Sequence, residues 1–274
     1  MNIKAFKMDG LGNDFIIIDE RKDILTLTKQ QIIKICDREF SGCDQLVIIK
    51  KSDDTDAKLE FFNSDGSESG ACGNGTRCVA YLISIEKGIN EVVLSTNSGK
   101  LNSKILRSNL VETTIGKAKT DWNEIPISKK IDTKHLGLSI YDKYKNIFKG
   151  GTAVNVGNPH TIFFVDDINN FDLKNIGPKL ENNDLFPERC NITLAKVINK
   201  EKIAVKVWER GVGLTKACGS AACATAYAGK INNLTGNRVD IVFELGILSI
   251  TINSNNFITM KGPVSDIKYL ELKI

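Results

Sequence analysis

At 274 residues the chain is long enough for one large or two mid-sized domains, and 42% hydrophobic with 26% charged residues is the balance of an ordinary globular protein. A net charge of +4, with Lys and Arg spread along the chain, is too diffuse for a nucleic-acid surface. Neither a signal-peptide core at Met1–Lys7 nor an apolar run approaching the roughly 18–20 residues of a membrane span is present, so the expectation is a cytoplasmic protein without a membrane partner.

Seven cysteines is an odd count in a chain too long to need staples, which fits thiols in a reducing compartment. The close pairs, Cys36/Cys43, Cys72/Cys78 and Cys218/Cys223, include no CxxC, and only His135 and His160 stand beside them. Neither a structural nor a catalytic metal site is expected from that supply.

In chain order, Ile3–Phe6 and Phe15–Asp19 read as strands about the turn at 8–14. The lone Gly10-Leu11-Gly12 there is weak for a dinucleotide, because Phe15 stands where a third glycine belongs. Residues 28–36 have helical spacing (Ile32, Ile33, Ile35) behind Thr28 as a cap. Gln45–Ile49 is a strand, Lys50–Lys58 a charged hairpin loop, and Leu59–Phe62 a strand that runs into the polar turn Asn63–Ser67. Strands follow at Val92–Leu94, Leu101–Leu106 and Leu110–Ile115.

The order then repeats. Gly12-Asn13-Asp14-Phe15 followed by apolar residues has its echo in Gly157-Asn158-Pro159-His160, a shift of 145 residues from Asn13 to Asn158. From Gln45 to Asn191, and from Cys72 to Cys218, the shift is 146. The chain therefore consists of two halves of like fold, divided near 116–120. Each expects a mostly antiparallel sheet curved about one strong helix, an α+β architecture with a cleft between related lobes.

The most informative repeat is a cysteine phrase, Ala71-Cys72-Gly73-Asn74-Gly75 in one half and Ala217-Cys218-Gly219-Ser220-Ala221 in the other. Each leads into an Ala-containing helical stretch, so each cysteine sits at a helix start. There, unpaired N–H groups and the helix dipole favour a thiolate or a bound carboxylate. A ligand held between two such cysteines can lose a proton from carbon to one sulfur and gain one from the other on the opposite face. That inverts the centre without a cofactor. The N–H groups of Gly73, Asn74, Gly219 and Ser220 could hold the adjacent carboxylate as it gains enolate character.

These phrases, with Met8–Phe15, Cys43-Asp44-Gln45-Leu46, Phe62–Ser67, Val156–His160, Phe186–Asn191, Trp208–Gly211 and Met260–Pro263, resemble the diaminopimelate epimerases over nearly the whole chain. Those enzymes interconvert LL- and meso-diaminopimelate on the route to lysine and cell wall. The resemblance implies Cys72 and Cys218 as the acid–base pair, with His160 and Glu209 tuning the thiols. It implies Asn13, Gln45, Gly73, Asn74, Gly219 and Ser220 near the reacting centre. It further implies Asn63, Asn158, Asn191, Glu209 and Arg210 on the substrate's polar groups, the Arg210 fork suiting the distal carboxylate.

The same resemblance implies two pseudo-twofold lobes, residues 1–117 with the strand 263–274 and residues 118–262, each a barrel-like sheet about a central helix. It also implies a homodimer with no cofactor. Ala221 replaces a glycine common in the family, and the turn at Leu245–Leu248 lacks its paired glycines. Taken alone, Cys36, Cys78, Cys190 and Cys223 are apolar fillers, His135 a surface residue, Glu209-Arg210 a solvated pair and the asparagines turn formers. Three other functions fit two facing cysteines: a proline or hydroxyproline racemase, a thiol redox protein, and a non-catalytic amino-acid binder.

Overall fold

The computed structural model describes residues 2–70 and 72–274. The chain divides into two compact units, 1–114 with 261–274 and 115–260. The first contains strands β1 (Asn2–Gly10), β2 (Asn13–Asp19), β3 (Gln45–Lys50), β4 (Ala57–Asn63), β5 (Glu68–Ser69), β6 (Glu91–Thr96) and β7 (Gly99–Arg107), with helices α1 (Lys29–Cys36) and α2 (Gly73–Lys87). The connecting strand β8 (Leu110–Lys117) leads out of it. The second contains the hairpin β9 (Leu138–Tyr141) and β10 (Ile147–Gly150), then β11 (Thr152–Asn155), β12 (Pro159–Phe164), α3 (Leu173–Glu181), β13 (Asn191–Asn199), β14 (Lys202–Glu209) and β15 (Gly213–Thr215). It continues with α4 (Gly219–Ile231), β16 (Arg238–Phe243) and β17 (Gly246–Ile252); β18 (Phe257–Pro263) returns the chain to β19 (Lys268–Lys273) of the first unit.

Both units use one topology. In the first, β1 is antiparallel to β2, β2 parallel to β3, β3 antiparallel to β4, and β4 parallel to β6, which is antiparallel to β7. In the second, β11–β12, β12–β13, β13–β14, β14–β16 and β16–β17 repeat those senses in the same order. A parallel pair needs a crossover, and all four crossovers contain a helix: α1 and α2 in one unit, α3 and α4 in the other. β19 adds an outer strand beside β1, in antiparallel register.

Burial on both faces explains the unbroken apolar runs. Phe15, Ile17, Val47 and Ile49 face the core that holds Val79, Leu82 and Ile83 of α2. Ile16, Ile18, Leu46 and Ile48 face the opposite core, with Ile32 and Ile35 of α1. A strand covered on both sides reads as continuously apolar, and these do. α2 packs on β1, β2, β6 and β7, strands from both ends of its sheet, so the sheet curls around it. α4 likewise packs on β11, β12, β13, β16 and β17. Both helices are buried nearly all round, as central helices are.

Several elements carry local signatures. Thr28 and Gln31 form a reciprocal capping box at the start of α1, Gln31 N donating to Thr28 Oγ1 and Thr28 N donating to Gln31 Oε1 at 2.8 Å. α3 was not among the sequence expectations. Its Gly177-Pro178 is a poor helix sequence, but Gly177 lets Trp208 lie directly on the helix, where an added Cβ would stand 2.5 Å from the indole. Short strands β5 and β15 and the hairpin β9–β10 are likewise additions to the sequence reading. Among the described residues no helix is long and apolar enough to cross a membrane.

Candidate active site

Each unit assembles its own set of the expected residues. In the first, Cys72 is the N-cap of α2, with φ −139° and ψ 114° and no side-chain cap bond. Its thiol lies 3.8 Å from Asn13 Oδ1, and Asn74 Nδ2 donates to the same oxygen at 3.2 Å. Asn13, at the start of β2, is fixed in turn by donating its amide to Asp44 Oδ2 at 2.9 Å. Asp44 also accepts from Asp14 N, and Arg38 pairs with both Asp14 and Asp44. The Arg38 guanidinium holds the Asp14 carboxyl below the usual range against the opposing effect of burial. Gln45 and Asn63 face one another across β3 and β4, Gln45 Nε2 donating to Asn63 Oδ1 at 2.9 Å. Asn74 is buried, and its Oδ1 has no partner among the described residues.

In the second unit Cys218 is the N-cap of α4, with φ −142° and ψ 115°, again without a side-chain cap bond. The backbone at the two cysteines is thus the same to within a few degrees. Cys218 Sγ lies 3.4 Å from Ser220 Oγ, which lies 3.0 Å from His160 Nε2. His160 Nε2 is also 2.9 Å from Asn158 Oδ1, an acceptor that calls for the Nε2–H tautomer. The His160 ring is fully buried. Burial and the nearby Arg210 charge push its pKa down to about 3, so the ring is neutral.

Asn191, which pairs with His160 in the parallel register of β12 and β13, donates to Pro159 O and accepts from Arg210 N at 3.0 Å. Arg210 sends Nη1 to Glu188 O at 2.8 Å. Glu209 Oε1 accepts from Thr215 Oγ1 at 2.6 Å across the β14–β15 turn.

A helix start alone suggested a lowered thiol pKa, and at Cys218 the structure reverses this. Its pKa is raised well above the ordinary value, first by burial and then by the Glu209 carboxylate. The Ser220 hydroxyl and the Ala221 N–H of the helix start work in the opposite direction and are outweighed. Cys218 therefore rests as a thiol. Cys36, Cys78, Cys190 and Cys223 are buried, as fillers should be. Cys43 is buried too, 3.4 Å from Cys36, and burial pushes Cys190 up to about 12.

The sequence profile of diaminopimelate epimerases matches residues 5–120 and 152–267. A diaminopimelate epimerase of Pelagibacter ubique is 65% identical over 274 residues, spanning 100% of both chains. The chain belongs to the diaminopimelate epimerase family. The family's enzyme from Acidiphilium cryptum is 41% identical over 260 residues, 94% of this chain and 92% of that one.

Solved structures extend the fold beyond the epimerase family. A phenazine biosynthesis protein of the PhzF family from Bacillus anthracis has a TM-score of 0.67 at 16% identity, covering 100% of both chains. A hydroxyproline epimerase of Agrobacterium vitis has a TM-score of 0.68 at 10% identity, covering 100% of this chain and 93% of that one. Asp44, Thr215 and Glu188 were not singled out for roles from sequence, yet they hold Asn13, Glu209 and Arg210. Asp44 lies inside the Cys43–Leu46 motif and Glu188 inside Phe186–Asn191, which are the available signals; Thr215 lies in neither.

Proposed function

We propose that the protein interconverts LL- and meso-diaminopimelate by a two-base mechanism without a cofactor, using Cys72 and Cys218. The observation that carries this reading is the recurrence of one backbone conformation, cysteine as N-cap of a central helix without a side-chain cap bond, in the same strand context of both units. Membership of the epimerase family supplies the reaction.

In this reading each sulfur serves one face of the α-carbon. The Cys72 thiolate takes the α-proton on one face, and the Cys218 thiol, its proton secured by burial and Glu209, gives one on the other. The C–H electron pair moves into the adjacent carboxylate as it becomes enolate-like, and returns to carbon to form the new C–H bond. Reversal exchanges the two roles.

Amide donors at Gly73, Asn74, Gly219 and Ser220 hold the reacting carboxylate. Asn74 Oδ1, without a partner among the described residues, suits the α-ammonium. His160, neutral, keeps Ser220 oriented toward Cys218 without adding charge. Asn13 and Gln45 complete the reacting end. Asn63, Asn158, Asn191, Glu209 and Arg210 take the remaining polar groups, with the Arg210 guanidinium on the distal carboxylate. The reading includes a homodimer, carried by family resemblance alone, and a cytoplasmic location, carried by the sequence features given above.

The test is α-carbon labelling. Protein incubated with LL-diaminopimelate in deuterated water, reduced and without pyridoxal phosphate, should place deuterium at the α-carbon. Labelling of proline but not diaminopimelate would replace the substrate, and binding without labelling would reduce the protein to a binder.

A further inference from the structure

Arg210 lies in the short turn between β14 and β15, beside the exposed Gly211 and Val212. Such a turn would ordinarily leave a long cationic side chain free to wander. Here it is gripped from beneath by one carboxylate. Glu181, the last residue of α3, is only 5% exposed. Its Oε2 accepts from Trp208 Nε1 at 2.7 Å, and its Oε1 accepts from Gly211 N at 2.9 Å and Arg189 Nη1 at 3.2 Å. The donors at 208 and 211 flank Glu209-Arg210 on either side.

Two further features make the grip rigid. Trp208 is pressed flat on α3 because Gly177, four residues before Glu181, has no Cβ. Arg189 is held in left-handed backbone, φ 59°, next to Glu188, whose carbonyl receives Arg210 Nη1. A buried carboxylate is costly unless its oxygens are met by donors, and all three donors here belong to the frame of the turn.

We propose that Glu181 is a positioning residue for substrate recognition: it locks the Trp208–Gly211 segment so that the Arg210 guanidinium is preorganised for the substrate's distal carboxylate. The inference rests on the diaminopimelate reading. Orienting an Arg fork in advance lowers the ordering cost of binding and leaves the proton transfers alone. Loss of Glu181 should therefore raise KM and spare kcat.

Glu181→Gln tests this, because the amide keeps the shape while one carboxylate oxygen becomes an NH2 that cannot accept from its donor. Expected are a KM for diaminopimelate raised roughly tenfold, kcat within about twofold of wild type, and an unchanged far-UV spectrum. The double variant with Arg210→Lys should bind little worse than Arg210→Lys alone, since both act through one guanidinium. Should Glu181→Gln not fold, Trp208→Phe removes one tether only and should raise KM by about threefold. A folded variant with wild-type KM, a loss confined to kcat, or fully additive effects in the double variant would overturn the proposal. Wild type that fails to turn over diaminopimelate would instead remove the reading on which it rests.

Discussion

His160 gives the account its sharpest physical test, because burial makes its neutrality expensive to disturb. The imidazole titrates at about 6.5 when unfolded and about 3 in the native protein. A depressed native pKa means the unfolded state binds the proton first, so stability is full above 6.5 and is lost as pH falls toward 3. Each pH unit below 6.5 removes about 1.4 kcal/mol. Lowering the pH from 8 to 5 should thus cost about 2 kcal/mol through this ring alone.

Urea denaturation of wild type and His160→Gln at pH 8, 6.5, 5.5 and 5 isolates the term, since Gln cannot titrate. Glu20, whose carboxyl burial raises, acts in the opposite direction but is common to both proteins. Asp14, Asp19 and Asp56 have lowered pKa values and titrate below the window. The wild-type curve should fall relative to the variant by about 2 kcal/mol between pH 8 and 5. Parallel curves for wild type and His160→Gln would refute the neutral buried ring.

Three further outcomes are expected. Cys72→Ala and Cys218→Ala should each reduce epimerisation by on the order of a thousandfold or more, the range of lost acid–base catalysis, with circular dichroism unchanged; substantial turnover in either would break the two-base assignment. Arg210→Lys should raise KM on the order of tenfold, as a bidentate charge-assisted pair is lost, and equal kinetics to a surface Arg→Lys change would argue against the distal-carboxylate role. Gly75→Ala should destabilise through an overpacking cost of about 2–3 kcal/mol, the upper part of the usual range, because its Cβ would stand 2.8 Å from Phe61 Cε1 and 3.2 Å from Phe15 Cε1. That cost exceeds the roughly 1 kcal/mol that Ala gains over Gly in a helix, and a higher urea midpoint would contradict it.

What could be read in advance followed from patterns repeated or closed locally. The Thr28–Gln31 cap, the apolar strands Phe15–Ile18 and Leu46–Ile49, and both cysteine helices were legible because period, cap and repeat agreed. α3 was hidden by Gly177-Pro178, whose cost is met by Trp208 and not by any local signal. The repeat did contain the clue: α1 occupies 29–36, and the same shift brings the chain to α3. The parallel pairs could not be seen, since pairing sense depends on partners far along the chain. In the site, residue types and positions were visible from the motifs. The charge state of Cys218 was not, because burial and the Glu209 carboxylate outweigh a helix start that any sequence reader would take to favour thiolate.

The central claim, that two different sulfurs serve the two faces of one carbon, is tested most directly by following where solvent hydrogen goes in the first turnovers. LL-diaminopimelate in deuterated water should yield meso product carrying deuterium at the inverted carbon while the recovered LL substrate stays protiated. Deuterium entering recovered substrate as fast as it enters product would mean one base working both faces, and would contradict the account.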